Sequence, residues 1–285
     1  MLQPRIYKRT YQKSEMKLTL GERTLIMGIV NVTPDSFSDG GQFYEVERAV
    51  THALELYEQG ADMIDIGGES TRPGHTVISD EEEIARVVPV IKAISERAPH
   101  IPISIDTYKS GVARAALEAG AHIINDIWGC KADPHMAELA KEMDCPIILM
   151  HNRDNTDYGD FVSDALQDVQ ESIGLALTAG VDKNNIILDP GIGFAKSYEQ
   201  NLLMMASLGD LANLGYPVLL ATSRKRFIRN TLNLPVDDLV EGTAATVAFG
   251  IAQGSQMVRV HDVAKIKRTV DMCDAMLYQT MKEMK

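Results

Sequence analysis

The chain alternates between short apolar runs and longer stretches with helical periodicity. Eight runs rich in Ile, Val and Leu predict strands buried on both faces, as in a parallel sheet. These runs are Leu25–Val32, Met63–Ile66, Ile103–Ile105, Ile123–Ile127, Ile147–Met150, Ile186–Leu188, Val218–Ala221 and Met257–Val260. The stretches between them repeat apolar residues every three or four positions, which predicts amphipathic helices. The chain therefore reads as eight successive β/α units.

Signals for the starts and ends of helices support this division. Ser79 and Glu82 have the spacing of a capping box, immediately before a stretch with apolar residues at helical spacing. Glycines stand where four helices should end, namely at Gly60, Gly120, Gly180 and Gly254. In three of these cases the glycine leads directly into the next predicted strand.

Eight β/α units in 285 residues predict a (β/α)₈ TIM barrel, whose usual size is about 250 residues. The rival architecture is an open doubly wound sheet. It would need a nucleotide-binding fingerprint after the first strand, and the sequence has none there. We expect a single barrel domain over residues 24–285, preceded by an extension over residues 1–23 for which a hairpin is the candidate form.

Polar side chains collect at the ends of the predicted strands, where barrels of this kind place their chemistry. Any one of them could instead cap the following helix. They are Asn31, Glu69, Thr71, Arg72, Asp106, Asn125, Asp126, His151, Asp189, Ser223, Arg224, Lys225, Arg259 and His261. Together they indicate a site for a polar, heterocyclic and anionic substrate.

These rim residues form two chemical groups. The oxygen-rich group, from strands three, four and six, comprises Asp106, Asn125 and Asp189. Its carboxylates can accept paired hydrogen bonds from an amidine-like edge, and the amide suits a mixed donor–acceptor edge. The second group, Asn31, Lys225, Arg259 and His261, comes from strands one, seven and eight and could hold phosphates together with a metal ion. Alternatively, Arg259 neutralises carboxylates inside the barrel and His261 flanks a helix N-cap.

Two predicted connections, Thr33–Gly41 and Gly67–Ser79, are much longer than the usual 2–6 residues. Both are rich in Gly, Ser, Pro and Asp, so we expect them to close over a substrate. The alternative is surface decoration without function.

Composition narrows the class of partner. The formal net charge of −12 argues against nucleic acid and anionic membranes, which require a basic face. No apolar run approaches the ~20 residues of a membrane span, and the N-terminus lacks a signal-peptide core. The three cysteines have no metal-ligand spacing and are expected to be free thiols. These features predict a cytoplasmic protein.

Eight motifs follow one another along the chain. They are MGIVNVTPDSFSDGG at 27–41, GGESTRPG at 67–74, SIDTYK at 104–109, NDIWG at 125–129, MH at 150–151, LDPGIGFAK at 188–196, SRKRF at 223–227 and RVHDV at 259–263. This series resembles the motifs of the dihydropteroate synthase family. The resemblance spans about residues 24–265. It implies a (β/α)₈ barrel that works as a homodimer with Mg²⁺ and is a target of sulfonamides.

The resemblance also implies the reaction and the residues that perform it. The family condenses 6-hydroxymethyl-7,8-dihydropterin diphosphate with 4-aminobenzoate, giving 7,8-dihydropteroate and pyrophosphate. The implied pterin-binding residues are Asp106, Asn125, Ile127, Met150, Asp189 and Lys225. The implied diphosphate-binding residues are Asn31, Arg72, Arg259 and His261, with Asn31 also next to the metal. The implied aminobenzoate-binding residues are Phe37, Thr71, Arg72, Pro73, Phe194 and Arg226.

One position departs from the family pattern. Many relatives carry Ser after the Lys of the SRK motif, where it helps to receive the aminobenzoate carboxylate, whereas this chain has Arg226. An arginine could bind that carboxylate through two hydrogen bonds, or it could point to solvent while the helix N-terminus serves the anion.

The chemistry of these substrates favours a dissociative, SN1-like substitution. The expected catalytic residues are Asp35, Asp106, Lys225, Arg259 and His261. Two alternatives are a pterin-dependent methyltransferase barrel, which has no diphosphate to hold, and a catalytically silent pterin-binding paralogue, which should have lost loop or anion-binding residues.

Overall fold

The structure, a computed structural model, describes residues 4–33, 42–70 and 76–283. Within these ranges the strands are β1 (Arg9–Lys13), β2 (Met16–Leu20), β3 (Leu25–Asn31), β4 (Met63–Gly67), β5 (Ile103–Asp106), β6 (Ile123–Asp126), β7 (Ile147–Met150), β8 (Ile186–Asp189), β9 (Val218–Leu220) and β10 (Ser255–Val260). Strands β3 to β10 form a closed parallel barrel in chain order, with β10 paired to β3. The predicted (β/α)₈ barrel is confirmed, and the open-sheet alternative was wrong.

Helices separate the barrel strands. They are α1 (Gln42–Glu58), α2 (Asp80–Arg97), α3 (Ser110–Glu118), α4 (Met136–Glu142), α5 (Phe161–Thr178), α6 (Tyr198–Ala206), α7 (Leu208–Ala212), α8 (Arg226–Leu232), α9 (Val240–Ala252) and α10 (Val263–Glu283). A short 3₁₀ turn, Lys183–Asn185, precedes β8. No helix in the described part of the chain is long and apolar enough to cross a bilayer.

The predicted capping box at α2 is half formed. Ser79 Oγ accepts the backbone N–H of Glu82 at 3.2 Å and caps the first turn, whereas the Glu82 carboxylate accepts from Arg86. The glycine signals act as expected. Gly60 and Gly120 adopt φ values of 104° and 117° after α1 and α3. A side chain would be strained in this backbone conformation, so glycine ends each helix and lets the chain turn into the next strand.

Side chains alternate across each barrel strand and build two apolar layers. Outward residues such as Ile64, Ile105 and Leu188 pack with the helices in one large cluster. Inward residues near the amino ends of the strands, such as Met27 and Ile148, form a second cluster inside the barrel. Because inward positions recur every second residue, those near the carboxyl ends of the strands belong to the same row as this apolar floor.

The N-terminal segment forms an antiparallel hairpin against the amino end of the barrel. β1 and β2 pair with Arg9 opposite Leu20, and Met16, Leu18 and Leu20 are buried in the inner apolar cluster. The backbone of Tyr7 exchanges two 2.8 Å hydrogen bonds with the Gln256 side chain. The hairpin therefore adds apolar side chains to the floor of the barrel.

Candidate active site

Polar side chains replace apolar ones at the carboxyl end of the barrel interior. The inward positions there carry Asn31 from β3, Asp65 from β4, Asp106 from β5, Asn125 from β6, Met150 from β7, Asp189 from β8 and Arg259 from β10. The parallel register brings these positions onto one end of the barrel. The sequence prediction had grouped most of them and had missed Asp65.

Arg259 lies between two buried carboxylates. Its Nε donates to Asp65 Oδ2 at 2.6 Å, and its Nη2 donates to Asp106 Oδ2 at 2.7 Å. Asn125 Nδ2 also donates to Asp65 Oδ2, at 3.1 Å. Arg259 therefore joins the two groups of rim residues that sequence chemistry had separated, and it balances charge in the barrel as the alternative interpretation had allowed.

The second oxygen of each carboxylate has no donor among the residues described. Asp65 Oδ1 and Asp106 Oδ1 are both buried and lack a hydrogen-bond partner in that part of the chain. A buried acceptor without a donor is unfavourable by about 1–3 kcal/mol. This arrangement suits a ligand that brings N–H or N–H₂ groups into the barrel.

The carboxylate of Asp189 is held in place by the protein backbone. It ends β8, is 3% exposed, and its Oδ1 accepts the backbone N–H of Gly191 at 2.7 Å. Burial raises the pKa of Asp189, and Lys225 and the Gly191 N–H oppose that rise. Ile127 and Met150 are buried apolar side chains at the ends of β6 and β7, where the prediction placed one face of a ring.

Burial shifts the proton affinity of the other charged rim groups. Burial raises the pKa of Asp106, while the Arg259 charge opposes the shift. Burial lowers the pKa of Lys225 to about 8 despite the nearby carboxylate of Asp189. For Arg259, burial lowers the pKa, but Asp65 and Asp106 more than compensate and the pKa rises. The guanidinium thus stays charged whereas Lys225 can titrate near neutral pH.

Lys225 connects two loops at the mouth of the barrel. It is the N-cap residue of α8, and its Nζ donates to the carbonyl of Ile192. The same Nζ lies 4.9 Å from the centre of the Phe194 ring, within cation–π distance. The predicted pterin residue and the predicted aminobenzoate residue are therefore neighbours. Arg226 follows as the first residue of α8 and is exposed.

His261 follows β10 on the same side of the strand as Arg259. Its Nδ1 lies 3.0 Å from Ser223 Oγ, and its backbone N–H donates to the same oxygen at 3.2 Å. Arg224 pairs with Asp262 through two hydrogen bonds of 3.0 and 2.9 Å. The SRK and RVH motifs are thus tied together at the rim. Asn31 lies at the end of β3 with its side chain exposed.

Three of the polar rim residues have structural partners instead of facing the site. Asp126 faces outward and accepts the backbone N–H groups of Trp128 and Cys130, which makes it a turn cap. His151 is buried and contacts Asp168 and Lys196. Glu69 binds Lys109, whose Nζ also reaches Glu83 and the carbonyl of Ile78.

The contacts of Lys109 tether both sides of the second long loop. Glu69 precedes and Ile78 follows residues 71–75, and both bond to the same ammonium, at 2.6 and 2.7 Å. Five predicted site residues lie outside the described ranges, and their assignments stay predictions. They are Asp35, Phe37, Thr71, Arg72 and Pro73.

Comparison with known proteins gives a consistent result. The model of one family, described as pterin binding enzyme, matches residues 27–261. The chain is 56% identical over 260 residues to dihydropteroate synthase of Bacillus subtilis (strain 168), covering 91% of each chain. It is similar to a dihydropteroate synthase structure from Clostridium difficile in the presence of pteroic acid, with a TM-score of 0.88, 47% identity, and coverage of 90% of this chain and 98% of the other. It is also similar to the Xanthomonas albilineans dihydropteroate synthase with 4-aminobenzoic acid, with a TM-score of 0.89, 41% identity, and coverage of 95% and 98%.

Proposed function

The chain belongs to the pterin binding enzymes as a dihydropteroate synthase, and from that membership we propose how its barrel rim performs the reaction. The enzyme is a transferase that joins 6-hydroxymethyl-7,8-dihydropterin diphosphate to 4-aminobenzoate, giving 7,8-dihydropteroate and pyrophosphate. The resemblance found in the motifs is confirmed by the comparisons over most of the chain.

The observation that carries the proposal is the set of unsatisfied acceptors around Arg259. Asp106 Oδ1 and Asp65 Oδ1 face the barrel interior without donors among the described residues, and Asp189 is fixed beside them. A pterin presents an amino group and ring N–H groups along one edge. We therefore assign Asp106, Asn125 and Asp189 to that edge, and Ile127 and Met150 to the flat faces of the ring.

The diphosphate is assigned to the other side of Arg259. His261 and Arg259 lie two residues apart, so both side chains point into the mouth of the barrel. Asn31, exposed at the end of β3, adds an amide oxygen. Arg72 lies outside the described residues, and its place in this group is a prediction. Arg259 gives one N–H to Asp65 and one to Asp106, and a guanidinium has five N–H donors, so it can bind a phosphate oxygen while keeping both carboxylates.

The donor set fits a magnesium ion that arrives with the diphosphate. No group of three or more His, Cys, Asp or Glu side chains suited to a metal was found among the described residues. Mg²⁺ commonly keeps several waters and takes one or two protein oxygens together with substrate phosphates, and Asn31 can supply one such oxygen. When bound, the ion would supply positive charge next to the phosphates. Chelation with EDTA should abolish turnover, and added Mg²⁺ should restore it.

Bond cleavage precedes bond formation in the proposed mechanism. The bond between the exocyclic methylene carbon and the bridging diphosphate oxygen breaks first, and the ring nitrogens of the dihydropterin donate electron density to the resulting cation. Arg259 and His261 stabilise the departing oxygen, and the Asp106 carboxylate stabilises the cation. Asp35, outside the described residues, is assigned the same role as Asp106.

The arylamine then attacks the methylene carbon, and its nitrogen releases a proton as the new C–N bond forms. A neutral aromatic amine needs no strong base for this step. Phe194 and Lys225 border the space above the pterin site, and Arg226 is assigned to the aminobenzoate carboxylate. Phe37, Thr71 and Pro73 complete this subsite as predictions. Sulfonamides, which share the arylamine and an anionic group, should compete with aminobenzoate.

The oligomeric state proposed is a homodimer. Exposed apolar side chains lie on helices α6, α8, α9 and α10. In this series each helix contacts the next one. They include Leu203, Leu232, Phe249 and Met272, each at least 42% exposed. Exposed apolar side chains grouped on neighbouring helices are typical of an interface. Light scattering should give twice the chain mass, and Phe249→Glu should give the monomer.

The proposed location is the cytoplasm. Cys130, Cys145 and Cys273, the three cysteines of the chain, are all buried and unpaired, as suits a reducing compartment. Immunoblotting of cell fractions would test this, and recovery of the protein outside the cytoplasmic fraction would contradict it.

Release of pyrophosphate tests the function directly. With both substrates and Mg²⁺, the enzyme should release pyrophosphate, and omission of either substrate should stop release. Asp106→Asn should lower kcat/KM by about 10²–10³, the loss typical of one preorganised contact. Asp237→Asn, the same change at an exposed site after α8, serves as the control. A methyltransferase or a silent paralogue would release no pyrophosphate under any of these conditions.

A further inference from the structure

The segment after β8, residues 189–197, carries several contacts of the site on an irregular backbone. Gly191, Gly193 and Ala195 have φ values of 64°, 86° and 44°. Ala195 is the least favourable of the three because its Cβ is strained in the left-handed region. A backbone of this kind persists only where surrounding contacts over-determine it. Something must therefore hold this segment in place.

Lys196 lies near the end of the segment and is buried, with 6% of its surface exposed. Its Nζ lies 2.9 Å from the carbonyl oxygen of Gly191, 3.0 Å from that of Phe194 and 2.7 Å from His151 Nδ1. An ammonium group has three donors and no acceptor, so these three partners use all of its hydrogens.

The third partner ties Lys196 to the barrel wall. Since His151 Nδ1 accepts from the ammonium, the ring proton belongs on Nε2, which donates to Asp168 Oδ2 at 3.0 Å. His151 directly follows β7, and its backbone N–H donates to the carbonyl of Asp189 at 2.9 Å. Asp168 lies on α5 and is also held by Arg153. Lys196 is thereby connected to two rigid elements.

The charges around Lys196 oppose one another. Burial and then the Lys225 charge lower its pKa, and the carboxylates of Asp189 and then Asp168 oppose that shift. The net direction is downward, so the three hydrogen bonds of Nζ, and not the charge balance, hold Lys196 in the segment.

Between its two carbonyl contacts, Lys196 determines the path of the chain that presents Phe194. The Phe194 ring lies 4.9 Å from Lys225 Nζ, and the preceding carbonyl, of Ile192, accepts from the same Nζ. Asp189 also has contacts that do not involve Lys196, namely the pairing of β8 with β7 and the backbone N–H of His151, which donates to the Asp189 carbonyl at 2.9 Å. Loss of Lys196 should therefore disturb Phe194 while leaving Asp189 in place.

We propose that Lys196, anchored by His151 and Asp168, is a positioning residue that sets the Phe194 wall of the arylamine subsite. The proposal rests on the synthase function argued above. Lys196 touches neither substrate in this assignment. Its effect reaches the reaction through the backbone carbonyls of Gly191 and Phe194.

Lys196→Met tests the proposal because it should weaken binding of one substrate and not of the other. We expect the KM for 4-aminobenzoate to rise about tenfold, the size expected from losing a hydrogen bond to a charged group. Calorimetric affinity for 6-hydroxymethylpterin without diphosphate should stay within about twofold of wild type, because the pairing of β8 with β7 and the His151 N–H still hold Asp189. Lys183→Met, the same change on the exposed 3₁₀ turn, should alter neither constant.

A double-mutant cycle with Phe194→Ala shows whether Lys196 acts through that ring. In the Phe194→Ala background, Lys196→Met should change the aminobenzoate KM far less than tenfold. Additive effects, or an equal loss of pterin affinity in Lys196→Met, would overturn the proposal. A wild-type enzyme that released no pyrophosphate would instead contradict the synthase function.

Asp168→Asn keeps the test decisive if Lys196→Met does not fold. This change removes the anchoring charge at a side chain that is 15% exposed, so it should be milder. The folded variant should also show a raised KM for 4-aminobenzoate and an unchanged pterin affinity. The rise in KM should be smaller than in Lys196→Met. A folded Asp168→Asn enzyme with an unchanged aminobenzoate KM would equally overturn the proposal.

Discussion

Replacing Arg259 by methionine removes the guanidinium from between two buried carboxylates. Methionine keeps much of the volume, so the change is mainly one of charge. Asp65 is fully buried, and Asn125 remains as its hydrogen-bond donor. Asp106 loses its 2.7 Å bond as well. We expect this variant to lose stability as well as affinity for diphosphate.

The size of the effect follows from the burial of the pair. Removing one partner of a buried ion pair is unfavourable by about 3–5 kcal/mol, because the remaining charge is left unpaired. For a chain of this length that loss should lower the Tm by about 6–20 °C. The loss should be larger at pH 8 than at pH 5. Burial raises the pKa of Asp106, and the Arg259 charge opposes that rise. Without Arg259 the folded state therefore binds a proton on Asp106 more tightly than the unfolded state does, so its stability falls as the pH rises.

Urea denaturation of four proteins separates charge from packing: wild type, Arg259→Met, Asp65→Asn and the double variant. Trp128, the sole tryptophan, reports unfolding by fluorescence, and far-UV circular dichroism provides a second probe. The double variant should be more stable than Arg259→Met, since an amide replaces the stranded charge. A difference below about 1 kcal/mol between wild type and Arg259→Met would refute the reasoning. So would a double variant no more stable than Arg259→Met.

Three further predictions concern single titratable groups. Asp189→Asn should weaken calorimetric pterin affinity by about 1.5–3 kcal/mol, because an amide cannot accept two N–H bonds, and unchanged affinity would remove Asp189 from the pterin site. Because the pKa of Lys225 is lowered to about 8, the KM for the pterin diphosphate should rise above that pH, and Lys225→Arg should lack this rise if the titrating group is the right one. Burial lowers the pKa of His122 from 6.5 to about 4, and its Nδ1 accepts the N–H of Ile103 at 3.2 Å. The unfolded state therefore takes up the proton first, so about 2–3 kcal/mol of stability should be lost in denaturant titrations as the pH falls from 6.5 to 4, and His122→Gln should flatten that loss.

The barrel could be predicted because its determinants are local. Each strand is a short apolar run, and each of the glycines predicted to end a helix takes the positive φ that its position requires. The rim residues were also predictable, because a polar side chain that directly follows a buried strand lies at the carboxyl end of the barrel. Asp65 was missed although it stands inside an apolar run, where a lone carboxylate at an inward position is itself a signal.

Contacts between distant elements could not be predicted from the sequence. The sequence position of Arg259 does not show whether its guanidinium binds phosphate or Asp65, which lies 194 positions away. His151 was grouped with the rim residues, whereas the structure buries its ring between Lys196 and Asp168. Both outcomes depend on which strands become neighbours when the barrel closes, which is a property of the whole chain.

Among the described residues, the hairpin covers the amino end of the barrel and leaves the polar carboxyl end as the route to the interior. Its side chains Met16, Leu18 and Leu20 close the floor together with the inward residues of the strands. Whatever enters must leave through the same mouth. If the pterin binds against Asp106 and Asn125 as proposed, it has to arrive before the arylamine that rests above it. The joined product would then leave with its pterin end last. The group that enters last is then the first to leave, and the hairpin formed by the first two strands contributes to this order.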